Sequence, residues 1–327
     1  MTHSIHRRAA LGALAAAMAV AAAPSLAQQA AWPTQTVRII VPFTPGTGMD
    51  TIARTVAPRL SERLGQPVVV QNQPGASGNI GADAVAKATD GHTVLMGANT
   101  MLMAAQLYKS VPFDPLKDFQ PVSMAAWGTL MLVANPKTNI KSLPEFLAAV
   151  KAKPGSITFG SPGVGTPHHM AMELVKSRTG TFMLHVPYKG TAGYQQDLLS
   201  GEVNVGFLPV HIAASMVKAG RLNAVAVGSP KRHPVAADVP TFEELGIKGI
   251  EVDLWYAFFM PAKTQTPVVQ RLNQELVAIM KMPEVAQVLS KGGMDAAWST
   301  PDELGALARK DYPRWGEVIR RNNISAD

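Results

Sequence analysis

Apolar positions along this chain fall into two rhythms. Short β-branched runs at 37–43, 68–70 and 93–97 lack strict alternation, the pattern of strands covered on both faces. Between them the apolar positions return at helical spacing, as Ile52, Val56 and Leu60 do in a helix expected from Asp50 to about Leu64. Further helices are expected at 82–88 and around 101–108. Strand, helix and strand in that order predict parallel pairing with right-handed crossovers. Residues 110–122, punctuated by proline, read as irregular. The apolar run 129–134 reads as a strand leaving the first domain, stopped by Asn135-Pro136.

A second α/β series follows. Ser142 stands at the cap of a helix through 143–150, strands are expected at 157–159, 184–188, 203–207 and 222–227, and helices near 194–199 and 212–219. The long apolar run 252–260 then carries the chain back to the first domain. Three helices close it, at 267–280, 283–290 and 301–321, each with Pro near its start, where a missing N–H does no harm. The pattern predicts an α/β fold of two mixed sheets flanked by helices. One lobe takes 28–134 and 255–327, the other 135–254, and a cleft between them is the expected ligand location.

The glycine-rich turns narrow the chemistry. Gly46-Thr47-Gly48 follows a strand and leads into a helix, where Asp50 stands as the expected N-cap; Asn72–Gly81 and Gly160–Thr166 repeat the arrangement, and Asn99-Thr100 makes a third kind of junction. Helix starts aim unpaired N–H groups outward and favour anions. A dinucleotide fingerprint fails, because its third glycine falls at Thr51 and the next strand ends in Gln71 and Asn72 rather than an acid. No glycine loop ends in Gly-Lys-Ser/Thr, and no serine sits in Gly-x-Ser-x-Gly. His168 and His169 are adjacent, so on a helix they point about 100° apart and do not hold one metal together. His169, within the first turn after a glycine loop, is the one placed to face the cleft.

Composition adds compartment and partner. His6, Arg7 and Arg8, then an apolar run over 9–23 and Pro24-Ser25-Leu26-Ala27, predict a signal peptide cleaved after Ala27; Arg7-Arg8 leaves both the Sec and the twin-arginine route open. Arg7 and Arg8 are the only charged residues removed, so the net charge falls from +7 to +5. Scattered Lys and Arg argue against nucleic acid and for a small anionic ligand. The absence of Cys excludes disulfides and thiolate chemistry, and no cofactor or metal is expected.

These residues carry a family likeness. Val41-Pro42-Phe43-Thr44-Pro45-Gly46, Asp50, Ala53-Arg54, Leu64-Gly65-Gln66-Pro67, Pro74-Gly75-Ala76, Gly165-Thr166-Pro167-His168, Val186-Pro187-Tyr188-Lys189-Gly190 and Asp238-Val239-Pro240-Thr241 resemble the Bug-type solute receptors of tripartite tricarboxylate transport systems. The resemblance covers nearly all of the chain after residue 27. It implies a monomeric, two-lobed periplasmic-binding-protein fold (type II-like) that closes on a small organic acid and delivers it to integral-membrane permease subunits, without catalysis. Carried over by position, it implies a ligand site of Phe43, Thr44, Gly46, Thr47, Gly48, Asp50, Asn99, Thr100, Ser161, Gly163, Gly165, Thr166, His169 and Tyr188. Three departures stand out: Thr47 in place of a second glycine, Asn204 where Asp is usual, and Pro209-Val210-His211 in the following loop. An exported hydrolase working through Ser161 and His169, and a ligand sensor for a membrane kinase, remain open at this point.

Overall fold

The structure, a computed structural model, describes residues 32–252 and 254–325. The expected signal peptide and its cleavage point lie outside them. Along the chain, β1 (Val37–Val41), α1 (Gly48–Leu64), β2 (Val68–Asn72), α2 (Asn79–Ala86), β3 (Thr93–Ala98), α3 (Thr100–Leu107) and β4 (Phe119–Gly128) come first. Then come β5 (Leu130–Ala134), α4 (Leu143–Ala152), β6 (Thr158–Ser161), α5 (Pro167–Thr179), β7 (Leu184–Pro187), α6 (Thr191–Ser200), β8 (Val205–Pro209), α7 (Val210–Lys218) and β9 (Asn223–Val227). The last group is β10 (Leu254–Pro261), α8 (Thr266–Met280), α9 (Pro283–Lys291), β11 (Asp295–Ala296) and α10 (Pro301–Arg321).

Two mixed sheets result. The first runs β11-β4-β10-β3-β1-β2 and the second β7-β6-β8-β5-β9. In the first, β1 is parallel to β2 and β3, and β10 runs antiparallel between β3 and β4. In the second, β6 is parallel to β7 and β8, and β5 is antiparallel to β8 and β9. None of the helices among the described residues is long and apolar enough to cross a membrane.

Two expectations change. Residues 119–122, read as irregular, open strand β4. Pro121 is accommodated there because the register of β4 against β10 shifts beside its partner Phe259, and a proline is tolerated at such an irregularity. Residues 130–134, read as the end of the first lobe, hydrogen-bond within the second sheet, so the first crossing falls at Thr129. All five β5 residues are buried, and a run that is apolar on both faces says strand without saying which sheet.

Each sheet has its own core. In the first, Trp255 and Phe259 of β10 pack with Leu95, Leu102 and Phe119, and the Trp255 indole N–H donates to Asp311 at 2.8 Å. In the second, Tyr194 of α6 lies flat over two paired glycines, Gly160 of β6 and Gly206 of β8. A methyl on Gly206 would sit 2.1 Å from the Tyr194 hydroxyl oxygen, which itself donates to Phe207 O at 2.7 Å. Gly206→Ala is therefore expected to cost about 1–3 kcal/mol by overpacking. Urea unfolding should show a lower midpoint at unchanged slope; a midpoint equal to wild type would disprove the tight fit.

Candidate functional site

The loop joining β1 to α1 is built by its own side chains. Thr47, not Asp50, is the N-cap of α1: its hydroxyl accepts from Asp50 N at 3.4 Å. Asp50 sits one turn in and ties the loop together. Its carboxylate accepts from Gly46 N at 3.0 Å, Arg54 Nε at 3.0 Å and Asn72 Nδ2 at 2.9 Å. Burial alone would raise the Asp50 pKa, but these hydrogen bonds outweigh it and hold the group below its ordinary value. Gly46 adopts φ +84°, a left-handed turn that a side chain would strain.

Across from this loop lies its counterpart between β6 and α5. Thr166 caps α5 by accepting from His169 N at 3.5 Å. Two hydrogen bonds join the facing sides: Ser77 Oγ donates to Val164 O at 2.6 Å, and Thr44 Oγ1 to Lys189 O at 3.1 Å. Ser77 is held in a left-handed conformation, φ +53°, and also touches the Tyr108 hydroxyl at 3.0 Å. The β2–α2 turn is thus tied to the β6–α5 loop, and the β1–α1 loop to the loop between β7 and α6.

Between them is a cavity of ≈ 30 Å³. Its wall includes the first turns of four helices: Thr47, Gly48 and Met49 of α1, Thr100 of α3, Thr166, Pro167 and His168 of α5, and Thr191 of α6. Phe43, Ala98, Pro162, Leu254 and Tyr256 complete it. Each helix start carries roughly half a positive charge, and no Asp, Glu, Lys or Arg lines the cavity. The arrangement favours an anion without offering a Lys or Arg. A wider pocket of ≈ 310 Å³ opens beside it, sharing Phe43 and Pro162 and adding Thr44, Ser77, Gly163, Tyr188 and Lys189.

The sequence-predicted residues divide accordingly. Phe43, Thr47, Gly48, Thr100 and Thr166 line the inner cavity; Thr44, Gly163 and Tyr188 line the outer pocket, with the Tyr188 hydroxyl donating to Asp197 at 2.6 Å. Gly46, Asp50, Asn99, Ser161, Gly165 and His169 line neither. Ser161 is fully buried and turned to Gly163 O and His185 Nε2. His169 Nδ1 accepts from Gly165 N at 3.1 Å, and its ring stacks on His185 at 4.1 Å with Phe159 behind. Ser161 and His169 therefore do not form the pair that a hydrolase would need.

Sequence reasoning missed His168, Tyr256, Thr191, Ser77 and Lys189. The adjacent histidines did signal that one ring faces the cleft; helix placement makes it His168. That ring is buried, neither nitrogen has a hydrogen-bond partner among the described residues, and burial pushes its pKa down to about 3. Elsewhere, His211, His233 and Asp295 bring three potential ligand atoms within 4.8 Å. There Val235 N donates to His233 Nδ1 at 3.3 Å, which keeps the ring proton on Nε2, 3.5 Å from Asp295. That is the tautomer of a hydrogen-bond donor rather than of a metal ligand.

Known proteins resemble this chain over most of its length. Residues 52–324 match the model of the tripartite tricarboxylate transporter family receptor. BugT of Bordetella pertussis is 35% identical over 292 residues, covering 88% of this chain and 90% of that protein. A protein of Pseudomonas sp. strain P51, from the tcbD-tcbE intergenic region, is 35% identical over 99% of this chain and 97% of its own length. Among solved structures, periplasmic binding protein BugD superposes with TM-score 0.84 at 30% identity, covering 90% of this chain and 99% of its own. A Rhodopseudomonas palustris protein solved with adipate gives TM-score 0.84 at 31% identity, covering 90% and 99%. MatC of the same organism, with bound malate, gives 0.82 at 29%, covering 88% and 100%.

Proposed function

Since this chain belongs to the tripartite tricarboxylate transporter receptor family, we propose that it is an exported receptor that closes two lobes on a small carboxylate and hands it to a membrane permease. The family and its structural neighbours are solute receptors rather than enzymes. One observation carries the ligand class: four helix N-termini, drawn from both sheets, converge on a single cavity lined by no charged Asp, Glu, Lys or Arg. One carboxylate lies there, taking hydrogen bonds from the N–H groups of Gly48 and Met49 and from the hydroxyls of Thr100 and Thr191. The rest of the molecule extends into the outer pocket, where Lys189 meets a second carboxylate and Phe43 and Pro162 flank the carbon chain. Adipate and malate, found in the two R. palustris relatives, have this two-ended form. Phe43, Thr44, Gly163 and Tyr188 shape the passage, while Asp50, Asn99, Ser161 and His169 support it from behind.

The lobes follow the sheets, 35–128 with 254–325 and 130–252, and the first crossing, at Thr129, acts as a hinge. Isothermal titration with succinate, malate, adipate, citrate and benzoate tests the assignment. Saturable binding of a dicarboxylate is expected, with a matching rise in melting temperature. Absence of both for every acid would overturn it. Uptake of the bound acid by cells lacking this gene should fall, which tests delivery to a permease.

Closure makes a separate prediction. Ser77→Ala removes a cross-lobe hydrogen bond worth about 0.5–1.5 kcal/mol, so ligand affinity should weaken about 2- to 10-fold through faster release. Stopped-flow dissociation measures this; an unchanged release rate would show that Ser77 does not hold the closed state.

A further inference from the structure

His168 and His169 stand side by side at the start of α5, and the fold gives them opposite surroundings. His169 is satisfied by Gly165 N and by its stack on His185. His168 is 6% exposed, has no hydrogen-bond partner at either ring nitrogen among the described residues, and forms part of the cavity wall. A buried imidazole with donor and acceptor both unmade raises the free energy of the empty closed form, and only a molecule in the cavity can lower it again.

The surroundings also decide what that molecule must be. The one other ionisable side chain in the described wall is Tyr256 of β10, which burial keeps protonated. On α5 itself, Glu173 is turned to His169 and Lys176. On α1, the Asp50 carboxylate is committed to Arg54, Asn72 and Gly46 N. The parts of α3 and α6 in the wall are the threonines Thr100 and Thr191. Among the described residues nothing in the cavity wall supplies the negative charge that a protonated His168 needs, and four positive helix ends oppose its protonation. A carboxylate in the cavity reverses that balance.

We propose that His168 is the side chain that reads the ligand: it takes a proton from solvent as the cleft closes and pairs, as imidazolium, with the carboxylate held at the helix N-termini. This rests on the carboxylate assignment above. A basic side chain present only when an anion is bound would discriminate an acid from its amide, because the amide leaves the ring neutral and one contact unmade. The proton count also makes affinity pH-dependent in a stated direction: uptake on binding strengthens affinity at low pH and weakens it as pH rises through the bound-state pKa.

The test uses the tightest binder among succinate, malate and adipate, titrated calorimetrically in two buffers of different ionisation enthalpy. Wild type should take up most of a proton per ligand near pH 7.5 and progressively less toward pH 6, where the open receptor is already largely protonated, with affinity falling by up to about tenfold per pH unit above neutrality. His168→Gln should bind more weakly, without uptake and with a flat profile. No uptake by wild type, or undiminished uptake by His168→Gln, would overturn the proposal while leaving the receptor assignment intact. If none of the three acids binds, the carboxylate assignment falls and this inference with it. Nitrogen NMR of the His168 ring in the wild-type complex gives a readout independent of the variant's folding: a neutral ring at pH 6 with ligand bound refutes the pairing.

Discussion

Gly48→Ala should all but abolish ligand capture. Gly48 is the first residue of α1 and lies in the cavity wall, so its substitution alters the place where the first carboxylate is proposed to rest. A Cβ there would stand 2.6 Å from the Tyr256 hydroxyl oxygen, 3.0 Å from its ring carbon and 3.2 Å from Met294 Sδ. Tyr256 is buried and itself lines the cavity, so displacing its ring disturbs the same wall. Whether the methyl stays or the tyrosine moves, a space of ≈ 30 Å³ is lost. The backbone of Gly48 is not left-handed, so alanine is sterically tolerated by the chain itself and the effect arises from packing. An affinity loss of about 100-fold, roughly 2.7 kcal/mol, is expected by calorimetry. Tyr256→Phe removes the nearest clashing atom, so the double variant should regain part of the loss. Wild-type affinity in Gly48→Ala would show that ligand binds elsewhere.

The second large effect concerns the empty receptor. His168 is held at about 3 by burial in the closed form, and on opening it returns to the ordinary histidine value near 6.5. A group whose pKa is depressed in one form binds fewer protons there, so that form loses stability as pH falls. Closed receptor should therefore give way to open receptor below about pH 6.5, by at most about 1.4 kcal/mol, or tenfold, per pH unit down to about 3. Small-angle scattering at pH 7.5 and 4.5 should show the unliganded protein expanding by a hinge-like increase in radius of gyration. His168→Gln should not expand. His185 is also pushed down to about 3, by burial first, with His169 and Lys176 adding to the effect and Glu173 opposing it. It lies within the second sheet at β7, so its protonation weakens that lobe rather than closure, and it should leave the His168→Gln result unchanged. An expansion of equal size in His168→Gln would assign the switch elsewhere. With a carboxylate bound, acid should no longer open the cleft, because the ligand supplies the charge that the described cavity wall lacks.

Local chemistry was legible wherever the chain's own neighbours decide it. Ser142 caps its helix by accepting from the N–H three residues on, and Gly65 ends α1 in the left-handed conformation, as their sequence positions implied. Asp50 was misplaced by one turn because Thr47 and Asp50 both carry oxygen and only the actual helix start distinguishes cap from first-turn acid. β4 was missed because a proline inside a strand argues against a strand until the irregular pairing that accommodates it is seen. His169 was preferred to His168 because a ring's direction depends on how α5 is rotated about its axis, which no short-range pattern fixes.

The sequence by itself determined the two α/β series, the glycine turns that start helices, the export signal as an expectation, and a family likeness spread over nearly the whole chain. These depend on periodicity, φ preference and residue identity, which act over a few residues. The tertiary structure alone decided that β5 belongs to the second sheet, that four helix starts meet at one cavity, and that His168 faces it without a partner. Such features depend on rigid elements brought together from positions 43 to 256. Their mutual placement is set by long-range packing, where burial and unmet hydrogen bonds first acquire a value.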